Sequence, residues 1–251
     1  MGGKTRYIMS MIVASALLGG SAGAALVDLG PGSFTAAASV ITFDDIALGT
    51  INPTYSFPAV PGLGDVTVSF GGYFVGQSQG GAPPTLLDST PDNPLALDPA
   101  APEVFTVDDA ANPGSPVLSG TPIFAGTIAV LFSTPVAGVG LQAGYFDAVG
   151  STTIEAYDGA GNSLGTIVNG QLGLEFYGLA DSTGQNIISG ISFYITGEEP
   201  AGYAINDVTF GAGDVIVPVT PGPVVIPAPA ALILAALGSG LAGLARRRNL
   251  L

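Results

Sequence analysis

Short runs of alternating or β-branched apolar residues recur along the middle of the chain, each closed by a glycine-rich turn. Thr153-Ile154-Glu155-Ala156-Tyr157 alternates cleanly, and Asp158-Gly159-Ala160-Gly161-Asn162 supplies turn chemistry for a hairpin into Ser163. Comparable runs fall at 39–43, 66–70, 73–76, 104–107, 128–132, 139–146, 163–168, 174–178, 187–196 and 203–210. No window of helical length carries a 3.6-residue period free of glycine. Roughly ten strands over about 180 residues predict an all-β fold, an antiparallel β-sandwich of jelly-roll kind. A solenoid is the alternative, and no fixed repeat period supports it. Residues 80–102, rich in proline, read as a long loop on one end of the sandwich. That loop and the Pro/Val spacer at 212–225 are where order is expected to be least.

The two ends follow different rules. Lys4 and Arg6 form a positive n-region, Ile8 to Leu18 an apolar stretch, and Ala22-Gly23-Ala24 a small-residue site, with cleavage expected after Ala24. A buried first helix is the plain alternative. At the other end an apolar stretch from Ala228 to Ala245 precedes Arg246, Arg247 and Arg248. Eighteen helical residues span about 27 Å, close to the hydrocarbon thickness of a bilayer. The arginines are expected to stay on the cytoplasmic side. A permanent anchor is the alternative to a removable one. The expected organisation is a signal peptide (1–24), a linker (25–38), a β-sandwich ectodomain (39–211), the spacer (212–225) and a sorting and transmembrane segment (226–251).

Ile226-Pro227-Ala228-Pro229-Ala230, the apolar helix and Arg246 to Arg248 together resemble the PEP-CTERM sorting tail in its VPLPA-like variant. The glutamate of the main signature is absent, since Ala228 and Pro229 follow Pro227. The resemblance covers about 25 residues. It implies export to a Gram-negative envelope, surface or extracellular matrix, handling by a membrane exosortase, and association with exopolysaccharide and biofilm.

Charge narrows the chemistry. The chain has 19 acidic and 5 basic residues, no histidine and no cysteine. Every basic residue is terminal, so the interval from Asp28 to Asp214 holds 19 acids and no base, a formal −19. Nucleic-acid binding lacks its basic footprint there. Cysteine- or histidine-based metal sites, disulfides and a Ser-His-Asp triad are excluded outright. Oxygen ligands and carboxylate chemistry remain.

A second resemblance rests on Ile41-Thr42-Phe43-Asp44-Asp45 near the start, Tyr203-Ala204-Ile205-Asn206-Asp207-Val208-Thr209-Phe210 near the end, and Val136–Gly140 and Phe176–Leu179 between. This order is similar to an ectodomain common in PEP-CTERM proteins and, more loosely, to carbohydrate-binding jelly-roll modules. It implies a structural calcium shared by Asp44 or Asp45 and Asp207, with Asn206 where a second acid often stands. Calcium takes several oxygens, and Asp44, Asp45, Asn206 and Asp207 offer them if the chain turns after the first strand. The alternative is that all four are turn residues facing water. Asp108-Asp109, Asp147, Asp158 and Asn162 read as turn formers. A glycosidase pair of Asp44 with Glu155 or Glu175 has nothing tying it together. Asp181-Ser182-Thr183-Gly184 is a single, partial match to an aspartic-protease segment. Most strand tyrosines are expected in the core or at its rim. The resulting expectation is a non-enzymatic surface or matrix protein with no catalytic residues. A polysaccharide-binding module is the first alternative and a carboxylate-dependent glycan hydrolase the second.

Overall fold

The computed structural model describes residues 26–217 apart from 89, 113 and 115. The cleavage site at Ala22 and Ala24, residues 218–225 of the spacer, and the motif at 226–230 with Arg246 to Arg248 lie outside the described residues. No helix among the described residues is long and apolar enough to cross a membrane.

The first strands are β1 (Leu26–Leu29), β2 (Ser39–Ile41), β3 (Thr54–Val60), β4 (Gly64–Gly71), β5 (Ser78–Gly80), β6 (Thr85–Asp88), β7 (Phe105–Val107) and β8 (Val117–Ser119). Then come β9 (Ile128–Val136), β10 (Gly138–Phe146), β11 (Thr152–Tyr157), β12 (Ser163–Val168), β13 (Gly173–Asp181), β14 (Ile188–Ile195) and β15 (Ala204–Gly211). One sheet runs β1-β13-β10-β15-β8-β7, with β2 also paired to β15. The other runs β12-β11-β14-β9-β4-β3, and β5-β6 stand apart as a hairpin. The strand pairings are antiparallel. From β8 onward the chain changes sheet at every connection except the β11–β12 hairpin.

Alternation explains what each strand buries. In β10, Val139, Leu141 and Ala143 enter the core, leaving Gly140 and Gln142 for the outer face. In β14, Ile191, Phe193 and Ile195 do the same. Phe210 meets Phe57 at 5.2 Å and Phe132 at 5.3 Å between ring centroids, so the last strand clamps the opposite sheet. Burying each such ring contributes about 1.5–3 kcal/mol.

Three local differences from the sequence reading have physical causes. Residues 80–102 do not form a loop at one end. They belong to an excursion lying across the outer face of the β9–β11–β14 sheet. There Phe74 and Leu95 pack with Ala129 and Tyr157, and the Gln77 amide donates to the Tyr157 hydroxyl at 3.0 Å. The run at 73–76 forms only an isolated bridge between Phe74 and Leu97, within this layer. Leu26–Leu29, in the stretch read as linker, forms β1 because β13 has a free edge to offer it.

Candidate functional site

The four acids and amides expected to share an ion are drawn to the joined ends of the fold, but not to one point. β2 and β15 pair through Ile41 and Val208. Phe43 then adopts a positive φ of 62° and turns the chain at Asp44 and Asp45. In β15 the register against β10 advances three residues, Thr209 to Asn206, for two in the partner. This bulge, with Asp207 at φ 46°, re-aims its side chain. Burial raises the Asp207 carboxyl above its ordinary value, and the Asp44 charge beside it raises it further. The Asp44 charge is therefore close enough to act on Asp207. Asp45 instead accepts a hydrogen bond from the Tyr55 hydroxyl at 3.2 Å. Asn206 is buried and donates its amide to the Gly114 carbonyl. Among the described residues no three acidic side chains gather where a metal ion could be held.

The other acids singled out from the sequence are occupied. Glu155 accepts from Ser163 at 2.6 Å and Tyr194 at 2.9 Å on the outer face of the second sheet, away from Asp44. Glu175 caps the backbone N–H groups of Gly170 and Gln171. Asp181 caps Thr183 and Gln185 through Oδ2. Asp158 caps Ala160 and Asn162 through Oδ1; burial pushes its carboxyl up, but the bonds from Asn162 and Ala160 outweigh it and hold it below the usual range.

A cavity of about 550 Å³ opens beside the loops at 122–125 and 198–202, lined by Pro83, Pro84, Ile123, Phe124, Glu198 and Glu199 among others. Its buried acid is a clasp. Glu199 Oε1 accepts from Asp147 N at 2.9 Å, and Asp147 Oδ2 accepts from Ala201 N at 2.8 Å. Glu199 Oε2 lies against the Ser151 hydroxyl. That hydroxyl has one hydrogen and already has the Ala148 carbonyl as an acceptor at 2.7 Å. A proton on Glu199 lets it donate to Ser151 and resolves the competition. Burial and the Asp147 charge both favour that proton, holding the carboxyl above its ordinary value of 4.5.

The arrangement with ligand-binding chemistry lies on the outer face of the β10–β13–β15 sheet. Phe176 of β13 and Phe34 form an edge-to-face pair, ring centroids 6.4 Å apart. Both rings are half-buried. Phe34 is held by a bridge to Ile216, flanked by backbone bonds from Thr35 to Val215 and from Val217 to Ser33 at 2.8 Å each. Gly140 makes the space beneath: a Cβ there would stand 2.7 Å from Phe176 Cζ and 3.2 Å from Phe34 Cε2. The rings border a cavity of about 370 Å³ with Pro31, Ala38, Val40 and Thr209. The next outward residue on β10 is Gln142, in register with Phe176 on one side and Asn206 on the other. Aromatic faces with flanking amides suit an amphipathic ring such as a sugar.

Sequence reasoning missed Phe34 and Gln142, and quoted Gly114, Phe176 and Gly140 only as parts of a turn or a pattern. The usable signal was the alternation Gly138-Val139-Gly140-Leu141-Gln142, which leaves one strand face without large side chains. The tyrosines behave as expected for the most part: Tyr157, Tyr177, Tyr194 and Tyr203 are buried, while Tyr145 is 52% exposed.

No family model and no curated protein sequence matches this chain. Among solved structures it aligns with the enzymatically active domain of tailspike protein 4 from bacteriophage CBA120, at 16% identity and a TM-score of 0.26. The alignment covers 68% of this chain and 20% of that one, so the chain spans about a fifth of its length. A likeness of this degree transfers neither activity nor substrate. Beside this alignment with an enzymatically active domain, the expectation of a non-enzymatic structural protein is withdrawn, and no activity is carried over from that domain. The physical ground for that expectation was also narrow: lacking histidine and cysteine leaves carboxylate catalysis open.

Proposed function

We propose that this chain is an exported polysaccharide-binding module whose groove between Phe34 and Phe176 takes sugar units of the extracellular matrix. The observation that carries the reading is the pair of half-buried rings laid over Gly140, with Gln142 next to them. The fold is read as a jelly roll, supported by the repeated change of sheet from β8 to β15. The address is the PEP-CTERM-type tail, delivering the module to the envelope or matrix by way of the export machinery and a membrane exosortase. Calcium is proposed at Asp44 and Asp207, where it would supply the positive charge that the two carboxylates lack. EGTA should then lower Tm in wild type and leave Asp207→Asn unchanged; an unaltered wild-type melt removes calcium from the account.

The test of the main reading is retention on the producer's own exopolysaccharide. Phe176→Ala and Phe34→Ala should each weaken it by about tenfold or more, with little change in Tm. Retention untouched by both substitutions removes the groove from the account. Release of reducing ends from the polymer moves the reading from binding to hydrolysis.

A further inference from the structure

Asp181 ends β13 with a carboxyl that is only half used. It is 3% exposed, and its Oδ1 is buried with no hydrogen-bond partner. Oδ2 accepts from the backbone N–H groups of Thr183 and Gln185 at 3.0 and 2.9 Å, and from the Thr183 hydroxyl. A buried acceptor left unpaired costs about 1–3 kcal/mol, and more when it is charged. No side chain between residues 26 and 217 can supply a cation, since that interval holds no lysine, arginine or histidine.

The strand pairing identifies another source. Leu26, the first residue of β1, stands directly opposite Asp181. Asp181 gives its N–H to Ala137 O, on the β10 side, at 2.8 Å. Toward β1 the pair is therefore a non-hydrogen-bonded one, with Cα atoms about 4.5 Å apart and side chains close together. Both side chains face inward: Leu179, two residues before Asp181, is in the core, and Leu26 packs against that core. Because β1 and β13 are antiparallel, β1 begins at the end of β13 from which the turn at 182–185 leaves. The Asp181 carboxyl leans to that same end. Covalent geometry alone keeps the α-nitrogen of residue 25 within about 5 Å of Leu26 Cα.

We propose that Asp181 Oδ1 is the acceptor for the N-terminal ammonium that export processing creates at Ala25; this rests on cleavage after Ala24 and is independent of the sugar groove. Hydrolysis of the peptide bond between Ala24 and Ala25 consumes one water, leaving a carboxylate on Ala24 and an ammonium on Ala25. Before it, the same nitrogen is a neutral amide, and Lys4 and Arg6 depart with the signal peptide. The new charge-assisted bond ties the start of edge strand β1 to the turn that carries the chain from one sheet to the other. The fold thus tightens only after export.

The processed chain, 25–251, contains no lysine, so its α-amino group is its one primary amine and an acylating reagent reads that group alone. At neutral pH the wild type should be acylated about tenfold more slowly than Asp181→Asn. Asparagine keeps an oxygen for Thr183 and Gln185 and puts an amide NH2 in the place of Oδ1. A chain that retains Ala24 keeps Asp181 but moves the ammonium about 3.3 Å along the strand. It should lose the protection and lower Tm by about 2 °C or more. With Asp181→Asn present, retaining Ala24 should change neither reading. Equal acylation of wild type and folded Asp181→Asn, or a Tm indifferent to the extra residue, overturns the inference. So does N-terminal sequencing that finds the exported chain beginning at a residue other than Ala25. If Asp181→Asn does not fold, the chains beginning at Ala24 and Ala25 decide the matter between them.

Discussion

Glu199 shows how a chain without cations handles a buried acid. Among the described residues it has no cationic partner; burial and the Asp147 charge raise its carboxyl above the ordinary value, against the opposing effect of its bonds from Ser151 and the backbone. The folded state then binds more protons than the unfolded chain. Stability contributed this way is present at low pH and is lost as pH rises through the folded pKa, which lies above 4.5. Glutamine mimics the protonated acid, donating to Ser151 where the carboxylic acid would. Glu199→Gln should therefore retain wild-type Tm at neutral pH, or exceed it, and flatten the pH dependence of stability above pH 4.5. A large loss of Tm at neutral pH, with the slope unchanged, contradicts the protonated clasp. None of this was legible in the sequence, where Glu198-Glu199 is merely an acidic pair before a proline. That Asp44 and Asp207 come close was legible, because the first and last strands of a sandwich often meet. The bulge that separates Asp207 from Asn206 depends on one extra residue in β15, which no alternation pattern announces.

At the scale of elements, strands that alternate cleanly were readable and strands that depend on tertiary partners were not. β11 and β14 match the expected runs closely. β3 was hidden because it contains Pro58 and places Ala59 at φ 54°, features tolerated on an edge strand. β8 is three residues long and is held by its neighbours. Residues 80–102 read as a loop because Leu95 and Leu97 form no local pattern, while Phe74 falls in a run that reads as a strand of the sandwich. They nevertheless make a satellite core, with Phe74 fully buried and its ring 5.7 Å from Tyr157. Phe74→Ala should cost about 3–5 kcal/mol. Hydrogen exchange should show amides of this layer, such as those of Val75 and Asp98, losing protection before those of β10 and β14. Equal loss in both places contradicts a separable layer.

 The two amides to follow are those of Val75 and Asp98, which donate within the layer to Ala96 O at 2.9 Å and Tyr73 O at 3.0 Å.

For the whole molecule, the dominant fact is the one-sided charge. Between Asp28 and Asp214 there are 19 acids and no base, so no ion pair between side chains is available there and repulsion acts alone. Salt should therefore stabilise the protein. Raising ionic strength from about 0.01 M to 1 M shortens the screening length from about 30 Å to 3 Å, and Tm should climb across that range. Acidification should act in the same direction where Asp207 and Glu199, both held above their ordinary values, take up protons on folding. A Tm that falls with added salt contradicts this picture. The same absence of cations shapes recognition, since a binding face without lysine or arginine must read a ligand by ring faces and amides. The most direct test of that claim is retention of the full chain on the producer's exopolysaccharide, wild type against Phe176→Ala. The account predicts that retention falls by about tenfold or more while Tm stays within a few degrees of wild type. Undiminished retention by the folded variant would contradict it.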